Sequence, residues 1–197
     1  MSAPRLRCMK DAVNLRGRTA TPPFAARRTG DMHRSIEAWL HEAAETDRSL
    51  PEIVLQLEVD ESGASAEQIR ARIAHTLRVM QDAIDEGLRG NVRSPSGLTG
   101  GRAKRLFDNG PRLLGGRVTA TLSRAIATLE VNAAMGLIVA APTAGAAGVL
   151  PAILLSVGEF LELDEEQLVD AMLVAGGVGG VIAHRASLAG AEGGCQA

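Results

Sequence analysis

Residues 65–88, SAEQIRARIAHTLRVMQDAIDEGL, decide the fold class of this chain. Apolar side chains recur in this stretch at intervals of three and four residues, and they are Ile69, Ile73, Leu77, Met80, Ile84 and Leu88. That spacing places them on one face of an α-helix. Ser65 and Gln68 have the spacing of a capping box, while Gly87 and Gly90 are predicted stop signals. The stretch therefore predicts a long amphipathic helix that packs against other helices.

The residues before this helix divide into a second helix and an extension. The segment SLPEIVLQLEVD, residues 49–60, places Pro51 in a first helical turn, where its missing N–H costs nothing. Residues 1–47 are rich in arginine, contain a proline pair and show no sustained apolar period. We therefore predict a disordered extension over residues 1–47 and a folded domain over residues 48–197.

The composition of the whole chain favours closely packed helices. Its 197 residues are 46% apolar, include 22 glycines and are only 2% aromatic, so small side chains dominate the apolar set. The net charge of −2 comes with no basic patch, and we predict no nucleic-acid partner. Two cysteines are too few for a disulfide framework, which indicates a reducing, cytoplasmic setting. The predicted fold is mainly α, a helical bundle with a buried Ala/Gly-rich core.

Residues 131–158 carry no charge and must be tested as a membrane span. Pro142 and Pro151 interrupt the run, its centre is APTAGAAG, and no cluster of Lys or Arg marks one flank. These features favour a buried helix, a tight turn and a second buried helix, and we predict no membrane partner. A small membrane protein stays as an alternative.

Residues 164–185 are predicted to form a further helix. Asp164 and Gln167 have capping-box spacing at its start. His184 and Arg185 lie at its end, where cations interact favourably with the helix dipole. The side chains between are so small and apolar that we expect this helix at the centre of the fold.

A loop rich in serine and glycine occupies residues 91–101, and a short helix is predicted from Arg102 to Asp108. Gly100 and Gly101 precede that helix, whose first backbone N–H groups carry partial positive charge. Such a position suits an anion such as a carboxylate. On the residues alone, a plain linker is the favoured interpretation.

Cys195 follows two glycines in the segment EGGCQA, residues 192–197. Glycines allow a bulky group to approach the backbone, so a nucleophilic thiol and a metal or cluster ligand are both candidates. A cluster needs several thiolates, and this chain supplies one suitable cysteine. Spacing alone therefore favours a small residue without a chemical role.

Four segments resemble the iron–sulfur L-serine dehydratase family, in its alpha subunit or alpha domain. They are RSPSGLTGGRAKRL (93–106), EVNAAMGLIVAAPTAGAAGVLPAILL (130–155), DEEQLVDAML (164–173) and ASLAGAEGGCQA (186–197). The resemblance runs from about residue 50 to the last residue, and the segments occur in the family order. The family core is mostly helical, which agrees with the periodicity.

This resemblance implies an L-serine ammonia-lyase that forms pyruvate and ammonia. It implies a [4Fe–4S] cluster whose open iron acts as a Lewis acid, with Cys195 as the first cluster ligand. The substrate would be bound by Ser96, Thr99, Gly100 and Gly101 around its carboxylate and by Asn132, Thr143 and Gly145 nearby. It also implies a beta subunit or domain and an oligomer, and we assign no general base.

The chain also departs from the family pattern. The family's alpha domain continues beyond this point and supplies further cluster cysteines, so we predict a C-terminally truncated alpha domain that is inactive alone. A non-catalytic helical fragment that only docks with a partner is the main alternative.

Overall fold

The computed structural model describes residues 35–110 and 114–185. These residues form seven α-helices and contain no β-strand. The helices are α1 (Ile36–Thr46), α2 (Leu50–Ser62), α3 (Ala66–Leu88), α4 (Arg102–Asn109), α5 (Gly116–Ala133), α6 (Val149–Leu161) and α7 (Glu165–Arg185), and a 3₁₀ turn at Ala144–Ala146 precedes α6. The prediction of a mainly α-helical fold is confirmed.

The described residues belong to two compact units. The first is His75–Asp164, which holds most of α3 and helices α4 to α6. The second consists of residues 35–74 and 165–185, which hold α1, α2, the start of α3 and α7. The predicted folded domain over residues 48–197 stays a prediction.

Both helices of the 49–88 segment begin at the residues that the sequence indicates. Ser49 and Glu52 form a reciprocal capping box, because each side chain accepts a hydrogen bond from the backbone N–H of the other residue. Ser65 Oγ accepts from Gln68 N at 3.3 Å, and Gln68 Oε1 accepts from Ser65 N at 3.1 Å. These caps satisfy amides that a helix start would otherwise leave unpaired. The predicted starts of α2 and α3 are confirmed.

The apolar stripe of α3 is buried, with Ile69, Ile73, Leu77, Met80 and Ile84 each at most 7% exposed. Gly87, however, lies inside the helix and does not stop it. A Cβ on Gly87 would lie 2.4 Å from the carbonyl oxygen of Ala127, so glycine is needed here for close packing of α3 on α5. Gly90 follows the helix with a φ of +76° and acts as the predicted stop signal.

The predicted disordered extension is wrong for its last residues, because Ile36–Thr46 form α1. Ser35 caps this helix by accepting a hydrogen bond from Ala38 N. Trp39 is 3% exposed, and its ring approaches Gly177 so closely that a Cβ there would lie 3.1 Å away. Burial of the large indole explains why this short segment folds. Residues 1–34 lie outside the described residues.

The prediction that residues 164–185 form a central helix is only partly correct. The helix α7 exists and packs against α2, but within the described structure only Val169, Leu173 and Val181 are buried along it. A Cβ on Gly179 or Gly180 would meet no atom within 4 Å. Helix α7 therefore carries more apolar residues than the described structure buries.

Glu58 is a buried acid on α2, only 5% exposed. The pKa of its carboxyl is raised from 4.5 to about 7, mainly by burial and also by the neighbouring Glu61 charge, while the Arg72 charge acts in the opposite direction. The folded chain therefore holds this proton more tightly than the unfolded chain. It follows that the free energy of unfolding decreases as the pH rises from 4.5 to about 7.

A charged Glu58 carboxylate is costly to bury, and replacing Glu58 with glutamine removes that free-energy cost. We expect Glu58→Gln to be more stable than the unchanged chain by roughly 2 kcal/mol at about pH 8 and equally stable at about pH 4. Denaturant unfolding followed by circular dichroism across this range measures the difference. Glu61→Gln should give a smaller gain of the same sign. Equal pH dependence of Glu58→Gln and the unchanged chain would contradict the assignment.

Helix α5 is the central helix of the His75–Asp164 unit. It packs between α3 and α6 through close approaches at two glycines, Gly87 to Ala127 and Gly148 to Ala125. A Cβ on Gly148 would lie only 2.3 Å from the Ala125 carbonyl oxygen. The sequence-based expectation that small residues bring helices together is confirmed here. These two close approaches fix the position of α5 within the unit.

Candidate functional site

The last turns of α5 carry a buried carboxylate that holds the start of α4. Glu130 is 2% exposed, and its Oε1 accepts a hydrogen bond from Arg102 N at 2.7 Å. Its Oε2 accepts from Ala103 N at 3.4 Å. These are the first two amides of α4, at the positive end of the helix dipole. Glu130 therefore fixes the short helix, and the loop before it, to the central helix.

This contact limits where an anion can bind at the start of α4. The first amides of α4 are one possible seat for a carboxylate. Two of them instead donate to the protein's own Glu130 carboxylate. A second negative charge at the same point would be repelled. A ligand carboxylate at this end of α4 must therefore be bound by the loop that precedes Arg102.

The loop before α4 is closed by hydrogen bonds to Ser94. Ser94 N donates to Thr99 O at 2.8 Å, and Thr99 N donates to Ser94 Oγ at 3.1 Å. Ser94 Oγ and Ser96 Oγ lie 3.1 Å apart and share a hydrogen bond. Ser94 was not among the predicted site residues, although its hydrogen bonds organise the loop. The Ser96 side chain is exposed, and Thr99 is half-buried.

Two glycines at the end of this loop are required by its path. Gly100 has a φ of +144°, and a Cβ there would lie 2.2 Å from the carbonyl oxygen of Val92. Gly101 has a φ of +73°, and its Cβ position lies 3.0 Å from Arg93 Nη1. The Arg93 guanidinium in turn donates to Gly90 O at 2.9 Å and to Val92 O at 2.7 Å. A substitution at either glycine would displace the hydroxyl-bearing loop.

A second polar group surrounds the 3₁₀ turn before α6. Asn132 Nδ2 donates to Ala144 O at 3.2 Å, which ties the turn to the end of α5. Thr143 caps the turn, because its Oγ1 accepts from Ala146 N at 3.2 Å. Thr143 and Gly145 are exposed, and Asn132 is half-buried. Three of the predicted site residues therefore lie together.

The predicted substrate-binding residues thus form two groups attached to one helix end. Glu130 bonds to Arg102, directly after the group at Ser96–Gly101, and Asn132 bonds to Ala144 within the group at Thr143–Gly145. Residues two positions apart lie about 200° apart around a helix, so the groups attach to different sides of α5. The structure brings all seven residues into the His75–Asp164 unit without showing them around one cavity.

The described residues do not supply a metal or cluster site by themselves. Residues 35–110 and 114–185 contain no group of three or more His, Cys, Asp or Glu side chains placed to hold a metal ion. The predicted ligand Cys195 lies outside the described residues. The whole chain has two cysteines, fewer than the thiolates that hold an iron–sulfur cluster. The residues of this chain alone therefore do not fit such a cluster.

An open groove of about 550 Å³ lies between α4 and the start of α5. Its lining residues in the described structure are Arg102, Arg105, Leu106, Asn109, Gly110, Leu114 and Thr119. None of the seven predicted substrate-binding residues lines it. The groove and the two polar groups are therefore separate features of the same unit.

Among residues 35–110 and 114–185, two segments are long and apolar enough to cross a membrane, judged by length and composition alone. They are Ala144–Leu161 and Glu165–Arg185. Core helices of globular proteins meet the same criteria, so this finding is weak support for a membrane span.

These features define a helical protein whose central helix positions two polar turns. The model of the serine dehydratase alpha chain family matches residues 45–197, and the chain belongs to that family. It is 40% identical to the probable L-serine dehydratase alpha chain of Bacillus subtilis over 169 residues, which cover 84% of this chain and 56% of that one. The L-serine dehydratase alpha chain of Peptoniphilus asaccharolyticus is 36% identical over 149 residues, which cover 74% and 51% of the two chains.

The same similarity extends to a longer relative. The L-serine dehydratase of Streptomyces coelicolor is 35% identical over 169 residues, which are 83% of this chain and 36% of that protein. The chain spans about half the length of the two alpha chains it matches. No solved structure matches it.

Proposed function

We propose that this chain is part of an L-serine ammonia-lyase, which converts L-serine to pyruvate and ammonia. The observation that carries the proposal is the family match over residues 45–197, joined to relatives named L-serine dehydratase. The two polar turns at the end of α5 support it, because they offer hydroxyl and amide groups for a small polar substrate.

The proposed reaction is a β-elimination. A base removes the α-proton of L-serine, and the β-hydroxyl leaves, so that aminoacrylate and water form. Aminoacrylate takes up a proton at its methylene carbon to give the imine of pyruvate. Water then hydrolyses the imine to pyruvate and ammonia. Hydroxide is a poor leaving group and the α-proton is weakly acidic, so both steps need assistance.

We propose that a [4Fe–4S] cluster, with Cys195 as one ligand, belongs to the complete enzyme. When bound, it would supply a Lewis acid for the departure of the hydroxyl group. The remaining thiolate ligands must come from residues that this chain does not contain. A beta subunit or domain, an oligomer and a cytoplasmic location are part of the same proposal.

The residues of this chain are proposed to bind and orient the substrate. The Ser96 and Thr99 hydroxyls, with the backbone of Gly100 and Gly101, would receive the substrate carboxylate. Glu130 would position this loop through its hydrogen bonds to the Arg102 and Ala103 amides, which directly follow it. The Asn132 amide and the Thr143 hydroxyl would orient the other polar groups of L-serine.

Reconstitution of an assembled enzyme tests the proposed function. The chain is co-expressed with the remaining part of a relative's alpha chain and its beta chain, purified without oxygen and supplied with iron and sulfide. We expect pyruvate formation from L-serine and visible cluster absorbance in the assembly, and neither in the isolated chain. An assembly that takes up iron but forms no pyruvate would favour a non-catalytic interaction fragment.

Asn132 provides a more specific test of the second polar group. We expect Asn132→Ala in the assembled enzyme to lower kcat/KM for L-serine by about tenfold or more, since it removes the donor to Ala144 O and a substrate-orienting amide. Steady-state pyruvate release measures the effect. Thr121→Ala, on the same helix, should leave kcat/KM unchanged. An unchanged kcat/KM in Asn132→Ala would show that the polar group around the 3₁₀ turn does not belong to the substrate site.

A further inference from the structure

Helix α6 carries a row of exposed apolar side chains along one face. Val149, Ile153, Val157 and Phe160 follow each other at intervals of four, four and three residues, and they are between 46% and 57% exposed. This spacing keeps them on one side of the helix. Such a continuous apolar face is unusual on the surface of a protein that acts alone.

A second row on α5 extends this face. Val118, Leu122 and Leu129 are exposed at helical spacing. Helices α5 and α6 run antiparallel, because Arg117 near the start of α5 lies against Phe160 near the end of α6, while Ala125, further along α5, meets Gly148 at the start of α6. In each helix the exposed row lies next to the residues that contact the other helix. We call the two rows together the α5/α6 apolar surface.

Helix α6 has the apolar composition of a helix that is buried in a protein core. The segment Ala144–Leu161 is apolar enough to be a core helix, yet only 28% of it is buried. Leaving several large apolar side chains in water forgoes the favourable free energy that their burial would contribute. Covering this surface with a further protein segment or with lipid would therefore be favourable.

The charges beside the surface favour a protein segment over lipid. Arg124 donates to Ser156 Oγ at 2.8 Å and pairs with Glu159, and the Arg117 guanidinium lies 3.6 Å from the centre of the Phe160 ring. These three charged side chains lie along the line where the two helices meet. Contact with hydrocarbon would bury them at high cost, whereas a protein partner can pair them.

We propose that the α5/α6 apolar surface is the docking surface for the part of a serine dehydratase alpha chain that lies outside the region matched by this chain. The match covers 56% of the Bacillus subtilis alpha chain and 51% of the Peptoniphilus one, so a large segment of each relative is available to cover it. The proposal depends on family membership and not on the proposed catalytic activity.

Co-expression tests this docking surface. The affinity-tagged full chain is produced together with the unmatched part of the Bacillus subtilis alpha chain, and the co-purified amount of that part is measured. We expect the two polypeptides to be recovered together, and Ile153→Glu with Val157→Glu to lower the recovery by about tenfold or more. Leu40→Glu, at an equally exposed apolar position on α1, should leave the recovery unchanged.

Four results would overturn the proposal. The first is no recovery with the unchanged chain, and the second is equal recovery with the double variant and with Leu40→Glu. The third is a dimer of the chain alone in size-exclusion chromatography that the double variant converts to a monomer, which would make a second copy the occupant. The fourth is flotation of the chain with phosphatidylcholine and phosphatidylglycerol vesicles that the double variant abolishes. Circular dichroism of both variants checks that the exposed substitutions leave the helices intact.

Discussion

Glu130→Ala is expected to destabilise the chain by about 2 to 4 kcal/mol and to release the serine-rich loop from α5. The carboxylate is 2% exposed and accepts hydrogen bonds from two backbone amides, Arg102 N and Ala103 N. Alanine would leave both amides without their buried acceptor and create a cavity. Unfolding in denaturant measures the first effect.

Hydrogen exchange separates the loss of this contact from a general loss of stability. The amides of Arg102 and Ala103 should lose most of their protection in Glu130→Ala, while amides within α3 keep theirs relative to global unfolding. Glu130→Gln keeps one acceptor oxygen and should show an intermediate loss. Leu129→Ala, at the exposed neighbouring position, is the matched control. Unchanged protection at Arg102 in Glu130→Ala would contradict the role given to this carboxylate.

Periodicity and capping chemistry predicted most of the helices. The stripe from Ile69 to Ile84 and the cap at Ser65 are local signals, and local signals suffice for a long amphipathic helix. The start of α2 at Ser49 follows from the same chemistry. These elements depend little on residues distant in sequence.

Contacts between distant residues account for what the sequence did not predict. Trp39 folds α1 because it packs near Gly177, and Gly87 continues α3 because the Ala127 backbone approaches it. Neither approach has a local signature. The contact of Glu130 does have a signal in the sequence, because Glu130 is the only charged residue between Arg124 and Glu159. A lone acid in such a stretch needs a buried partner, and the amides of α4 provide it.

The residues of the candidate site were predicted, but their arrangement in space was not. The resemblance to a known family selected Ser96, Thr99, Asn132 and Thr143. The structure places Ser96 and Thr99 in the loop before α4, whose first amide bonds to Glu130, and Thr143 in the turn that Asn132 contacts. Their division into two groups depends on which side of the helix each loop contacts. That information resides in the packing of α4 and of the turn before α6.

Cys195→Ser is expected to reduce pyruvate formation by the assembled enzyme by about 100-fold or more. A serine hydroxyl is a far weaker iron ligand than a thiolate, so the cluster should be lost or fail to form. Cys8→Ser is the matched control, because Cys8 is the other cysteine of the chain and we assign it no role. Its activity and iron content should equal those of the unchanged assembly.

The comparison of these two variants is the most direct test of the proposed L-serine ammonia-lyase. Pyruvate release from L-serine is measured without oxygen, together with bound iron and visible absorbance, for assemblies that differ only at Cys8 or Cys195. We expect full activity and a full cluster in Cys8→Ser, and loss of both in Cys195→Ser. Full pyruvate release by Cys195→Ser without bound iron would contradict it.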